Sequence, residues 1–234
     1  ASGLPGACRS AARIQGRVTC LSALTLLGVF VLRADGVHAH VPRTASRLPA
    51  ADASIRRVHR RRLIRRPHPD ALMVEAIDAV ADAVRCQPPR AAIATIDSAL
   101  HLRVLRSDEL DELSGELPAR YRPLGALVDG RAESGGESLL RLIVRSIGCR
   151  VELQVVIDGV GRVDLLVDGW LIVECDSRGF HSEWSVQRND RRRDLEAARR
   201  GYVTFRVIAE DVFTRPDLVR EAVAALTSTR RSPR

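Results

Sequence analysis

The clearest pattern of hydrophobic and polar positions lies in residues 161–176, where the two kinds of residue alternate on both sides of Asp168-Gly169. A period of two predicts two β-strands, and Asp-Gly between apolar runs predicts the turn that joins them. One face of this hairpin is then entirely apolar, formed by Val163, Leu165, Val167, Leu171, Val173 and Cys175. The other face collects three carboxylates, those of Asp164, Glu174 and Asp176.

This separation of the two faces depends on the register of the hairpin. A two-residue loop would place Val163 opposite Glu174 and mix apolar with acidic residues on both faces. An odd loop over residues 168–170 places Asp164 opposite Glu174 instead, so that one face is apolar and the other carries the acids. Because a slip of one residue turns every side chain to the other face, the pattern predicts the odd loop.

Longer periodic segments predict the remaining elements. Apolar residues at helical spacing predict helices over 71–84, 91–102, 134–147, 184–200 and 216–226, and alternation predicts strands over 151–157 and 202–207. From residue 134 onward the order is α-β-β-β-α-β-α, which predicts an α/β unit with a mixed sheet flanked by helices. A boundary at 130–133 divides the chain into a basic α+β N-terminal region, 1–130, and this C-terminal domain, 131–234.

Positive charge is concentrated near the N-terminus. The chain has a net charge of +8, and all 37 of its basic residues are arginine. Thirteen arginines but only two aspartates precede residue 67, which gives this segment +11 and leaves −3 for the remainder. The densest run, 56–66, predicts that Arg60, Arg61 and Arg62 contact the phosphates of a polyanion such as DNA. The alternative interpretation is a solvated arginine surface.

The cysteines bear on the compartment in which the protein works. Five are present, and they are scattered, without a CxxC pair. This spacing argues against a zinc ribbon or a disulfide framework and favours a reducing compartment, so we expect a cytoplasmic protein. Residues 18–32 mimic a signal peptide, but we favour a folded segment and expect no membrane partner. His38 and His40 alternate with apolar residues, which favours the outer face of a strand over metal ligation.

Three acids on one sheet face repel one another and lose hydration when they are partly buried. A divalent cation relieves both costs, and Mg²⁺ typically takes one or two carboxylates together with waters and phosphate oxygens. The competing interpretation is a surface hairpin whose acids are solvated or paired with arginine. Glu137 leaves a similar choice open, because it can cap a helix that begins after Ser134 or point toward the acidic face.

The element order, with an acid on the second strand and Glu-x-Asp on the third, resembles the PD-(D/E)xK nuclease superfamily. Residues 134–226 are more closely similar to its very-short-patch-repair-endonuclease branch. The marks that agree are Glu137, Gln154, Asp164, Glu174-Cys175-Asp176, His181, Asp190, Arg193, Gly201 and Arg206. Residues 18–130 resemble the linking region of actinobacterial AbiE-type (type IV) antitoxins. Those proteins often begin with a winged-helix DNA-binding segment, so the resemblance leads us to expect that this segment is truncated or absent in the present sequence.

The resemblance implies a restriction-endonuclease-like fold that hydrolyses phosphodiester bonds in DNA with Mg²⁺. Asp164, Glu174 and Glu137 would hold the metal, which polarises the scissile phosphate and lowers the pKa of a bound water. Asp176 stands where the superfamily usually has lysine, and His181 would transfer the proton in its place.

The same resemblance implies that Gln154, Arg193 and Arg206 contact the nucleic acid. Arg193 can instead pair with Asp190 or Glu174. The family's glycine after Glu-x-Asp is Ser177 here, so the loop that leads to His181 departs from the pattern.

Two functional hypotheses follow, together with a weaker third. The first is a Mg²⁺-dependent DNA endonuclease. The second is a non-catalytic DNA-binding protein or antitoxin-type regulator on a degenerate nuclease fold, which holds if Arg193 or Arg206 neutralises the acids. The third is a toxin–antitoxin partner whose basic surface meets an acidic protein.

Overall fold

The computed structural model describes residues 5–45, 48, 53–176 and 184–231. The chain divides into two compact units, Ala1–Gly130 and Arg131–Arg234. The fold is α/β, with two mixed sheets. None of the described helices is long and apolar enough to span a membrane.

The N-terminal unit packs helices around a small sheet of order β1-β2-β3. Strand β2 is antiparallel to β1 and parallel to β3. Two 3₁₀ segments, Ser107–Glu109 and Ala119–Leu127, follow the fourth helix. The strands and α-helices are α1 (Gly6–Arg13), β1 (Arg17–Val18), α2 (Cys20–Leu26), β2 (Val37–His40), β3 (Ile55–His59), α3 (Ala76–Cys86), α4 (Pro89–His101) and α5 (Leu110–Glu116).

Helix α3 explains how this unit is held together. Residues 77–84 are all buried, because Ile, Val and Ala fill most of the helix surface, and Ile77 and Val80 belong to the main core. Two aspartates one turn apart, Asp78 and Asp82, are buried with them and must therefore find partners inside the unit. His38 and His40 do lie on the predicted strand, β2, but the expectation of an outer face is wrong, since they are only 3% and 5% exposed.

The C-terminal unit follows the predicted order of elements, with one extra short helix. Its sheet has the order β4-β5-β6-β7, in which the first three strands are antiparallel and β7 runs parallel to β6. The elements are α6 (Gly135–Ser146), β4 (Val151–Ile157), β5 (Gly161–Val167), β6 (Leu171–Asp176), α7 (Trp184–Arg199), β7 (Val203–Ile208), α8 (Ala209–Thr214) and α9 (Pro216–Arg231).

The central hairpin, β5–β6, has the predicted odd loop and register. Val167 pairs with Leu171 and Leu165 with Val173, and the amide of Trp170 donates to the Val167 carbonyl at 3.1 Å. All four paired residues are at most 1% exposed, so the apolar face is a true core face.

The loop of this hairpin predicts the effect of one substitution. Gly169 has φ +76° and open space around the position of a β-carbon, so Gly169→Ala meets backbone strain without a clash. We expect the free energy of unfolding to fall by about 1 kcal/mol in urea titrations. Gly115→Ala, on the exposed side of α5, also has open space but no positive φ, and it should stabilise by up to about 1 kcal/mol. Equal effects of the two changes would contradict the left-handed turn.

Candidate functional site

The acidic residues of the hairpin lie where β5 and β6 stop pairing with each other. The register, continued by one residue beyond Leu165 and Val173, sets Asp164 opposite Glu174. Asp164 Oδ2 accepts a hydrogen bond from the backbone amide of Cys175 at 2.9 Å. The Asp164 carboxyl therefore satisfies a strand amide and is held against β6.

Glu137 joins the first helix of the unit to the sheet. Its amide donates to Ser134 Oγ at 3.1 Å, so the predicted helix cap is present. Its own Oε2 accepts from the amide of Glu133 at 2.9 Å, rather than from the amide of Ser134 as expected, and from Gln154 Nε2 at 2.8 Å. The neighbours of Gln154 on β4 pair with the neighbours of Asp164 on β5, so Gln154 lies opposite Asp164. The hydrogen bond from Gln154 to Glu137 therefore places Glu137 near Asp164.

The backbone at Gln154 is unusual for a strand residue. Its φ of +54° lies in the left-handed region, which a residue with a β-carbon enters at a cost. Such backbone strain collects at functional sites, where the surrounding structure holds the residue in place. The side chain of Gln154 faces the acids instead of solvent, and its Oε1 is buried with no hydrogen-bond partner in the described part of the chain.

Two arginines occupy both carboxylate oxygens of Glu174. Arg206 stands beside Glu174 in the β6–β7 ladder, and its Nη1 lies 2.5 Å from Glu174 Oε2. Arg193, from α7, places Nη2 3.3 Å from Glu174 Oε1. The same Arg193 side chain also donates to the carbonyls of Val160, at 3.0 Å, and Arg162, at 2.7 Å.

Arg206 gathers further acids around its guanidinium group. It pairs with Asp194 at 2.9 Å and approaches Asp176 at 3.6 Å. Asp190 makes no ion pair with Arg193 among the described residues, which leaves Glu174 as the acid that Arg193 meets. The pairing of Arg193 and Arg206 with acids is the arrangement that the second functional hypothesis requires.

The pKa values of the three acids move in one direction. Burial raises the pKa of Glu174, although the charges of Arg206 and Arg193 oppose the increase. Burial also raises the pKa of Glu137, and the negative charge of Asp164 raises it further. The pKa of Asp164 is likewise raised by burial and by the negative charge of Asp176. Neither Glu137 nor Asp164 has an ion pair with arginine in the described part of the molecule.

These contacts do not fit a Mg²⁺ site as the residues are arranged. Both oxygens of Glu174 are engaged by guanidinium groups, and one oxygen each of Glu137 and Asp164 accepts from amide groups. Among the described residues, Glu137, Asp164 and Glu174 do not form a group of ligand atoms that one ion could bind. The group that does so consists of Cys20, His38, His59 and Cys86 in the N-terminal unit. His181, the expected proton-transfer residue, lies outside the described residues.

The basic run near the N-terminus separates into inner and outer arginines. Arg61 is turned inward, where its Nε lies 2.6 Å from Asp82 Oδ1 and its Nη2 lies 2.7 Å from Asp78 Oδ1. Arg60 is exposed and donates to the carbonyl of Ala45 at 2.6 Å. Arg62 is exposed and makes no ion pair with the described carboxylates. Arg61 thus compensates the buried charges of α3, and its Nη1 donates to the carbonyl of Arg62 at 2.7 Å.

A cavity of about 740 Å³ opens beside this run in the N-terminal unit. We call it the basic cleft, because its lining contains Arg17, Arg43, Arg61, Arg62 and Arg66 and no carboxylate. His40, Leu63, Ile64 and three prolines complete the lining. The predicted phosphate contacts do not include Arg17, Arg43 and Arg66. Arg66 ends the basic run 56–66, whereas Arg17 and Arg43 lie far from it in sequence and share with it only the excess of arginine before residue 67.

The half-buried acid of β5, Asp164, predicts a measurable dependence of stability on pH. A raised pKa means that Asp164 stabilises the fold below its ordinary pKa of 3.8, and that this contribution is lost as pH rises through the higher value of the folded state. Asp164→Asn keeps an oxygen for the Cys175 amide and removes the partly desolvated charge. We expect the variant to melt at a higher temperature than the wild type at pH 7, with the difference shrinking toward pH 4.

The matched control is Asp217→Asn on α9, where the carboxylate is 81% exposed. It should leave the pH dependence nearly unchanged. If Asp164→Asn instead lowers the melting temperature at pH 7, the charged form of Asp164 has a favourable partner that the described contacts do not include.

Comparisons of the chain with protein-family models, with curated proteins and with solved structures found no match. The geometry of the two units is therefore the basis on which a function can be assigned.

Proposed function

We propose that the chain is a non-catalytic DNA-binding protein, in which the basic cleft binds backbone phosphates and the C-terminal unit is a degenerate restriction-endonuclease-like fold. The observation on which this rests is the cleft itself, a concavity lined by five arginines and no carboxylate. A phosphate group accepts bidentate, charge-assisted hydrogen bonds from a guanidinium group through two of its oxygens.

Three of the cleft arginines are free to do this. Arg43, Arg62 and Arg66 are exposed, and none of them pairs with a carboxylate of the described residues. Arg17 is oriented by its own hydrogen bonds to the carbonyls of Ala71 and Pro69, at 3.0 and 2.8 Å. The cleft therefore contains one arginine held by backbone carbonyls and three exposed arginines without a described carboxylate partner. Phosphate is the ligand that these guanidinium groups favour.

The C-terminal unit supports a non-catalytic role for a different reason. Its elements run α-β-β-β-α-β-α-α, and Asp164 and Glu174 lie opposite each other on β5 and β6. Yet Glu174 is neutralised by Arg206 and Arg193, which removes the ligand that a hydrolytic metal would need. An antitoxin-type regulator that binds DNA without cutting it is consistent with both units.

Binding through the cleft makes a quantitative prediction about salt. Replacing Arg43, Arg62 and Arg66 together by glutamine should weaken the binding of duplex DNA and reduce the slope of log K against log salt, by roughly 0.9 for each phosphate that the variant no longer neutralises. Fluorescence anisotropy at several salt concentrations measures both quantities.

A second triple variant controls for net charge. Arg103, Arg122 and Arg145 are exposed, and all three lie outside the basic cleft. Their replacement by glutamine removes the same charge and should leave most of the salt slope intact. Equal losses of affinity in the two triple variants would show that binding follows overall charge rather than the cleft.

Cleavage separates the proposal from the endonuclease hypothesis. We expect the wild-type chain to retain plasmid DNA without nicking it in the presence of Mg²⁺ or Mn²⁺, because Glu174 is engaged by arginine. Agarose electrophoresis of supercoiled plasmid measures nicking, with Asp164→Ala and Glu174→Ala as controls. Metal-dependent nicking by the wild type that both substitutions abolish would establish hydrolysis and overturn the non-catalytic assignment.

A further inference from the structure

Four potential metal ligands from four different elements meet in the N-terminal unit. Cys20 begins α2, His38 lies in β2, His59 ends β3 and Cys86 ends α3. One ligand atom of each lies within 4.8 Å of all the others. Two thiols and two imidazoles are a donor set that structural zinc sites commonly use.

The separations between these atoms agree with a tetrahedral ion. Nε2 of His59 lies 3.3 Å from Nδ1 of His38. Zinc bound to two nitrogens at 2.0–2.1 Å places them about 3.3–3.4 Å apart in tetrahedral geometry. Sγ of Cys86 lies 3.9 Å from Nε2 of His59, where the same geometry gives roughly 3.6 Å for a sulfur and a nitrogen. These two separations lie within a few tenths of an ångström of the tetrahedral values, and all the others are within 4.8 Å.

The residues behind the cluster orient it as metal sites usually require. With Nε2 of His59 facing the other ligands, its Nδ1 lies 3.5 Å from Oδ1 of Asp82. Asp82 is itself fixed, because Thr19 Oγ1 and Arg61 Nε each lie 2.6 Å from it. A carboxylate behind a histidine sets the ring orientation and increases the basicity of the ligating nitrogen.

His38 presents Nδ1 to the other three ligands. The side chain is buried, its Nδ1 lies 3.3 Å from Nε2 of His59, and the two rings tilt by 33° at a centroid distance of 5.5 Å. Nδ1 is therefore the atom through which His38 would bind an ion, and Nε2, which has no hydrogen-bond partner in the described part of the chain, would stay outside the coordination.

We propose that Cys20, His38, His59 and Cys86 bind one Zn²⁺ ion in a closed structural site. Four protein ligands leave no open position, so the ion would stabilise the fold rather than catalyse a reaction. Binding releases the protons of the two thiols, while both histidines bind through a neutral nitrogen. The ion would fasten α2 and α3 to strands β2 and β3.

A catalytic triad is the other arrangement that these residues suggest. Cys86, His59 and Asp82 lie in the order of a nucleophile, a base and an orienting acid. Such a triad assigns no role to Cys20 and His38, which fill the space beside Cys86 and are buried. The zinc site accounts for all four side chains and for Asp82 behind them.

The test uses the full chain, expressed with zinc and purified under reducing conditions. Mass spectrometry of the metal content should give one zinc per chain. The metal-free protein, titrated with Co²⁺, should develop the absorption of tetrahedral cobalt with thiolate ligands, and Zn²⁺ should displace it. A chelator should lower the melting temperature of the wild type. These readouts use the unaltered chain, so they do not depend on whether a variant folds.

Matched serine variants assign the ligands. Cys86→Ser should weaken zinc binding at least tenfold and remove part of the cobalt–thiolate absorption. Cys8→Ser replaces a buried cysteine of the same unit outside the cluster and should keep both properties. The proposal fails if the reduced wild type binds no zinc or cobalt, if Cys86→Ser binds metal as tightly as Cys8→Ser, or if the chain is isolated metal-free with a Cys20–Cys86 disulfide.

Discussion

Pairing of buried carboxylates with arginine is the constraint on which both units depend. In the N-terminal unit, Asp78 and Asp82 are fully buried on α3, and Arg61 reaches both of them. In the C-terminal unit, Glu174 is buried on β6 between Arg193 and Arg206. A buried carboxylate that loses its partner typically costs about 3–5 kcal/mol, so neither set of arginines can leave without cost. Because the chain has no lysine, the basic partners of these three carboxylates are permanently charged guanidinium groups, together with His59 beside Asp82.

This constraint explains how much of the hairpin the sequence could predict. The alternation of residues 161–176 fixed the strands, the odd loop and the neighbouring positions of Asp164 and Glu174, because each is a local consequence of a period of two. The sequence alone does not decide whether the Glu174 carboxylate binds a metal ion or pairs with arginine. Arg193 comes from a helix and Arg206 from a strand that pairs in parallel after a crossover, so their approach depends on tertiary packing that no local pattern contains.

The N-terminal unit shows the same limit more strongly. The run at 56–66 suggested one continuous basic surface, but Arg61 turns inward while Arg60 and Arg62 remain exposed. A period of two predicts the strand that carries His38 and His40, but it does not say which face of the strand is covered. The predicted outer face is wrong for this reason. The Cys–His group escaped detection because its members are widely and irregularly spaced, and the parallel pairing of β2 with β3 is what brings His38 near His59.

The two proposals meet at Asp82. One of its oxygens lies close to both Nδ1 of His59 and Nε of Arg61, so a single carboxylate orients a proposed zinc ligand and a residue that lines the basic cleft. His40 follows His38 by two residues on the same strand and also lines the cleft. Its Nε2 lies 3.0 Å from the carbonyl oxygen of Arg61. An ion that fixes β2 and β3 would therefore also fix the wall of the cleft. If both proposals hold, zinc belongs to the DNA-binding surface as its rigid support, since a guanidinium group held in place loses less entropy when it meets a phosphate.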